Sequence, residues 1–337
     1  PTASVTLDKA SLKAGETATV TITFSEVVDD LADGDLIVVG SGALSALTQD
    51  SGNGAVWTAT FTPTADIEDA STVVQLTASG ITDAAGNTGA GVVSSSNVDI
   101  DTLAPSASIA LGKSALKAGE TTDVTVSFSE AVTGFDASAD LSVTSDAGTL
   151  GSFTSTDGGL TYVGTFTASN SVSQTGNTIT LANTGVADAA GNAGTGTTVS
   201  AAFDTDGVRP TVSSIVLSDT SLSAGETTTV TITFSEAVSG LSVGDFSVEG
   251  GALTGLSTAD SGTTWTATFT PTSDVEDGSN LITLAAESVL DAAGNTNAAA
   301  ASSGSYAIDT LRPTASVTLD KASLKAGETA TVTITFS

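Results

Sequence analysis

Apolar and polar residues alternate with a period of two in one stretch that the chain repeats almost letter for letter. It reads ETATVTITFSE over Glu16–Glu26, returns as ETTDVTVSFSE over Glu120–Glu130 and ETTTVTITFSE over Glu226–Glu236, and begins again at Glu328. In the first copy Ala18, Val20, Ile22 and Phe24 fall on one face, and Thr17, Thr19, Thr21 and Thr23 on the other. β-Branched residues on the polar side of a two-residue period predict a strand with one face buried and one wet. Shorter runs surround it: Ser4–Leu7, Asp35–Val39, Ala43–Thr48, Trp57–Pro63, Val73–Thr77 and the run to Asp101, separated by turn-forming Gly, Asn and Asp. Trp57, Ala59 and Phe61 are expected to point inward, and no stretch carries a helical period. The pattern predicts an antiparallel β-sandwich, two sheets burying their inner faces against each other.

Repetition sets the domain organisation. Pro1–Ser25 recurs unchanged as Pro313–Ser337, and looser copies begin at Pro105 and Pro210. The expected domains are 1–104, 105–209 and 210–312, with 313–337 opening an incomplete fourth, so the chain reads as an excerpt of a longer protein. Each full copy is long enough to bury its own core. The joints read DIDTLAP (Asp99–Pro105), DTDGVRP (Asp204–Pro210) and AIDTLRP (Ala307–Pro313), each with an Asp four residues before the Pro: Asp101, Asp206 and Asp309. Proline fixes φ and pushes its predecessor into extended geometry, which predicts stiff tethers rather than flexible leashes. The motif DAAGN recurs unchanged at Asp83–Asn87, Asp188–Asn192 and Asp291–Asn295. An acidic loop, Asp66–Asp69, returns as Asp274–Asp277, but the second copy has Ser169–Ser173 instead, so its role reads as optional.

Composition narrows the partners. The formal net charge is −30, from 38 acidic and 8 basic residues. Such a surface repels nucleic acid and anionic membranes, which need clustered Lys and Arg, and it suits hard cations. Apolar residues make up 39% of the chain in regular alternation, which argues against disorder. With no Cys, Met or His there is no disulfide, thiolate site or imidazole-based zinc site. No signal peptide and no apolar run long enough to span a bilayer is found, so no direct membrane insertion is expected of this segment.

Four co-linear features carry a family resemblance: FSE after the central strand (FSEAV in the second and third copies), WTATFTPT, DAAGN, and an Asp-Thr joint before Pro. Together they resemble the bacterial immunoglobulin-like domains of giant surface adhesins and biofilm-associated proteins of Gram-negative bacteria. The resemblance implies tandem immunoglobulin-like β-sandwiches in a linear array, secretion to the cell surface, an extender role in cell adhesion, and calcium ions at domain joints.

In a sandwich of that kind, the turn after the second strand, the turn before the last strand and the entering chain share one pole. Glu130, Asp188 and Asn192 are therefore expected to crowd Asp99 and Asp101, and Glu236, Asp291 and Asn295 to crowd Asp204 and Asp206. Glu26, Asp83, Asn87 and Asp309 are the matching groups at the first pole and the last joint. Two carboxylates ~5 Å apart at an effective dielectric of 20 repel by roughly 3 kcal/mol. Ca²⁺, which takes oxygen ligands from carboxylates, amides and carbonyls, would reverse the sign. The alternatives are that DAAGN is only a tight turn and that each Glu is a solvated strand end. No EF-hand loop or Gly-rich nonapeptide repeat is present, so the signal is positional. Asp29, Asp30, Asp33 and Asp35 cluster only in the first copy and read as solvated charge.

Enzyme activity is not expected. No His stands ready to activate the many Ser and Thr hydroxyls, and an active site does not ordinarily recur at every joint. Trp57 and Trp265 would make sugar platforms if exposed, but their alternation with Ala and Phe predicts core positions. The expected function is a calcium-stiffened extender of a surface adhesin, its partners being the neighbouring repeats. The rival readings are self-assembly into an extracellular fibre or surface layer, motivated by the incomplete fourth copy, and direct binding of a glycan or receptor.

Overall fold

A computed structural model describes residues Pro1–Ser337, and contact density divides the chain into two units. The first comprises Pro1–Ser114, Thr121–Thr167 and Gly176–Phe203; the second comprises Ala115–Glu120, Ala168–Thr175 and Asp204–Ser337. The second sequence copy thus contributes to both, whereas the Asp99–Pro105 joint lies inside the first unit and the Asp204–Pro210 joint inside the second.

In the first unit the opening copy is a two-sheet sandwich. One sheet runs β1 (Ala3–Leu7), β3 (Ala18–Phe24), β7 (Val56–Pro63), β5 (Gly42–Leu44), with β6 (Thr48–Gln49) also on β7. The other runs β2 (Ser11–Lys13), β10 (Val98–Asp101), β8 (Glu68–Thr77), β4 (Leu36–Val39), with β9 (Val92–Ser94) on β8. The opening strand is split: β1 pairs antiparallel with β3, then the chain crosses to the opposite sheet, where β2 runs parallel to β10. The alternation of the central strand is realised as read, with Ala18, Val20, Ile22 and Phe24 buried. They meet Phe61, Val74, Leu76, Val98 and Ile100 in one core. Trp57, opposite Ile22, is only half-buried and packs on the rim of that core, so indole burial is less complete than the alternation predicts.

The rest of the first unit repeats the plan. Ala107–Leu111 pairs with Thr121–Phe128, which in turn pairs with Thr161–Ala168 from Thr121↔Thr167 to Ser127↔Thr161. Phe166 and Phe203 meet edge to face with ring centroids 5.1 Å apart. In the second unit Thr228–Phe234 is the buried central strand of the third copy, and Phe269 meets Tyr306 edge to face at 5.1 Å. Ser221–Ser223 again lies parallel to the last strand, Tyr306–Asp309. The same unit holds a two-stranded hairpin, Ala315–Leu319 with Val332–Phe336, exposed on both faces.

Candidate functional site

The first two joints are each assembled from three local structures. The first is the turn between the second and central strands, Lys13–Glu16. There the Glu16 N–H donates to the Lys13 carbonyl at 3.1 Å, and the Lys13 N–H donates to Glu16 Oε2 at 3.4 Å. This leaves the Ala14 N–H facing out of the turn, a donor that must find a partner elsewhere. Lys117–Glu120 closes the same way, with the Lys117 N–H on Glu120 Oε2 at 3.1 Å.

DAAGN is the second. In all three copies the Asp carboxylate accepts from two N–H groups of its own turn and from the Asn side chain, and Gly sits at positive φ (Gly86 +80°, Gly191 +88°, Gly294 +87°), where a side chain would be strained. The motif is therefore a preorganised turn that aims its Asn outward. In the first copy Asn87 is exposed and bonds only Asp83 among side chains. At the first joint the same residue is buried. Asn192 Oδ1 accepts from the Ala14 N–H at 2.8 Å, and Asn192 Nδ2 donates to the Asp101 carbonyl at 2.9 Å and to Asp101 Oδ1 at 3.2 Å. Lys13 Nζ adds a bond to the Gly191 carbonyl at 3.3 Å. Within the second unit Asn295 Oδ1 accepts from the Ala118 N–H at 2.7 Å, Asn295 Nδ2 donates to the Asp206 carbonyl at 3.1 Å, and Lys117 Nζ reaches the Gly294 carbonyl at 3.4 Å. Asn192 and Asn295 are thus plugs, and the turns that receive them are sockets.

Acidic side chains beside the plug make the third. Carboxylate oxygens of Glu68, Asp101 and Glu130 lie within 4.8 Å of one another. Burial raises the pKa of Asp101, and the charge on Asp188 raises it further. Glu130 is raised by burial, then by Asp188 and Asp101. Glu68 comes from the acidic loop that the second copy lacks, and cross-strand register places it: Glu68 stands opposite Asp101, as Glu276 stands opposite Asp309. In the second unit that place belongs to Ser173, whose hydroxyl hydrogen-bonds Asp206 Oδ1. There Glu236 is raised by burial, then by Asp291 and Asp206, and its Oε1 is buried with no hydrogen-bond partner.

The remaining expected residues lie apart from these clusters. Asp99 and Asp204 sit at exposed strand positions opposite Ser11 and Ala115. Glu26 pairs with the amino terminus at 3.3 Å, and Asp83 is held by its own turn. Asp309 is exposed in the pair with Glu276. The Ala-Gly pair of the receiving turn was the missed signal: it recurs at Ala14, Ala118, Ala224 and Ala326 in step with DAAGN.

A family model of the bacterial Ig-like domain matches residues 1–100, 101–205 and 206–308. No curated protein sequence matches the chain. Among solved structures, FdeC, an Escherichia coli adhesin, is similar at 17% identity over 91% of this chain and 96% of its own, with a TM-score of 0.34. Invasin, a bacterial integrin-binding protein, is similar at 16% identity over 84% of this chain and 56% of its own, with a TM-score of 0.31. The Yersinia pseudotuberculosis adhesin InvE is similar at 17% identity over 59% of this chain and 58% of its own, with a TM-score of 0.23.

Proposed function

The chain belongs to the bacterial Ig-like domain family, and from that premise we propose that it is an extender segment of a bacterial surface adhesin. Its work is mechanical: it sets a distance and resists bending at the joints. The observation that carries this reading is the buried Asn plug, which ties the first two joints by side-chain bonds in addition to the covalent link. A chain meant only to string domains together would leave those donors and acceptors to water. Direct succession of domains and the charge of −30 support a soluble, exposed stalk at the cell surface. No helix is long and apolar enough to cross a membrane.

The joints are also suited to a divalent ion. The donor set is oxygen only, it converges at Glu68, Asp101 and Glu130, and an orphaned buried carboxylate oxygen at Glu236 marks the second joint. Those features fit Ca²⁺ better than a softer metal. Glu68, Asp101 and Glu130 would hold it at the first joint, and Asp206 with Glu236 at the second. Asp188 and Asp291, engaged by their own turns, would lend charge, while Asn192 and Asn295 hold the domains together. A bound cation would supply the positive charge that lets these carboxylates stay ionised side by side. Small-angle scattering with and without a chelator tests the reading. Chelation is expected to alter the maximum dimension, and identical profiles in both conditions oppose calcium stiffening.

A further inference from the structure

We propose that the groove walled by Phe135, Phe153 and Tyr162 in the second copy binds a quaternary ammonium group, the trimethylammonium head of a choline-type molecule. The groove lies wholly within the first unit, and it rests neither on the extender reading nor on a cation at the joints. The three rings, with Asp136 and Ser138, line a cavity of about 670 Å³. Each ring is half-buried. Phe135 meets Tyr162 at a centroid distance of 4.4 Å with planes 44° apart, and meets Phe153 at 6.0 Å and 74°. Rings turned against one another make a corner rather than a flat shelf. Buried Phe128 backs both Phe135 and Tyr162 edge to face at 6.1 Å.

Only the second copy is built this way. Tyr162 stands opposite Val126, where Trp57 stands opposite Ile22 and Trp265 opposite Ile232. Phe135 lies as far past Glu130 as Leu31 past Glu26 and Leu241 past Glu236, and both leucines are buried. Phe153, just before the Thr154↔Val163 bridge, holds the place of Leu47 before Thr48↔Thr58 and of Leu256 before Ser257↔Thr266. A fourth difference makes room. Gly164 stands opposite Val124 as Ala59 does opposite Val20 and Ala267 opposite Val230, and a Cβ on Gly164 would lie 2.5 Å from the Phe153 ring. Phenylalanine in place of leucine, with a methyl missing beneath one ring, puts aromatic surface where the core does not need it.

The polar edge selects the ligand. Asp136 Oδ1 accepts from the Ser138 N–H at 2.9 Å and from Ser138 Oγ at 2.7 Å. Those bonds, the hydroxyl's first, hold the Asp136 carboxyl below the usual carboxylate range, so it stays charged at neutral pH. The cavity thus offers a fixed anion and three π-faces, while the Ser138 hydroxyl is already committed. A sugar requires several converging donors and acceptors. A quaternary ammonium requires only ring faces and a nearby negative charge, and the net charge of −30 draws cations toward the chain. The remaining volume leaves room for whatever carries the head group.

Calorimetric titration of the full chain with choline chloride, in chelator and at matched ionic strength, is expected to saturate with a Kd on the order of millimolar. The uncharged isostere, with carbon in place of the nitrogen, should bind about tenfold more weakly. Phe135→Leu with Phe153→Leu installs the residues that the other two copies carry, so the domain should keep its fold and its far-ultraviolet spectrum while choline affinity falls about tenfold or more. Asp136→Asn, at an exposed position, should weaken choline about threefold. Flotation with phosphatidylcholine vesicles separates two sources of the group: co-flotation supports a lipid head group, and choline binding without it supports a free small molecule. No saturation by about 50 mM choline, equal binding of the isostere, or affinity unchanged in the double leucine variant would each overturn the proposal.

Discussion

Replacing Asn192 with alanine is expected to destabilise the first domain, in which no residue has been changed. The buried amide makes bonds to the Ala14 N–H and the Asp101 carbonyl of that domain, and it also bonds Asp101 Oδ1. A net hydrogen bond is worth about 1 kcal/mol, and one to a charged group somewhat more. Ala14 is exposed, so water would recover part of the loss. The expected cost to the first domain is about 2 kcal/mol. Trp57 reports that domain alone once Trp265→Phe removes the other indole, since the chain has only two tryptophans. With a urea m-value of roughly 1–2 kcal/mol/M for a domain of this size, the midpoint of the Trp57 transition should fall by about 1–2 M. Asn87→Ala is the control. Asn87 has the same motif and the same bond to Asp83 but is exposed, and should move the midpoint by less than half as much. A Trp57 transition unmoved by Asn192→Ala, or moved equally by Asn87→Ala, would refute the plug.

Metal-stripped protein should become more stable as pH falls from 7 toward about 4. Asp101, Glu130 and Glu236 have folded pKa values raised above the ordinary 3.8 and 4.5. The folded state therefore binds more protons than the unfolded in that window, and stability is lost as pH rises through the raised values. Asp69 and Asp157, held down to about 2 by hydrogen bonds from Ser71 and Thr161 respectively as the first cause, act in the opposite sense, and their contribution is lost as pH falls below 3.8. A thermal midpoint that only declines from pH 7 to 4 would contradict this. Tyr306→Phe should cost the third domain about 1 kcal/mol, roughly 4 °C or more in melting temperature, because the buried hydroxyl donates to the Glu249 carbonyl. Burial first, then Glu249 and Asp277, pushes that hydroxyl up to about 12, so it stays protonated. A calorimetric midpoint within a degree of wild type would count against that bond.

The sandwich was legible because period-two alternation is imposed by burial on one face, and Val20, Ile22 and Phe61 obey it fully. The pole of the joint was legible too, since connectivity brings Glu130 and Asp188 to Asp101. Roles within it were not. Asp and Asn in DAAGN look alike as oxygen donors, yet Asp188 is consumed by its own turn and Asn192 by the neighbouring domain. Glu68 escaped because its importance comes from cross-strand register with Asp101, which a linear motif cannot display. Trp57 sits at the rim because alternation specifies the face a side chain takes and not how deep the strand carries it.

Calcium titration of the full chain by calorimetry bears most directly on the proposal that a cation stiffens the joints. Saturable binding is expected, weakened about tenfold or more at the first joint by Glu130→Gln and unchanged by Glu26→Gln, whose carboxylate lies outside the Glu68, Asp101 and Glu130 cluster. No heat at millimolar calcium, or binding indifferent to Glu130→Gln, would contradict the account.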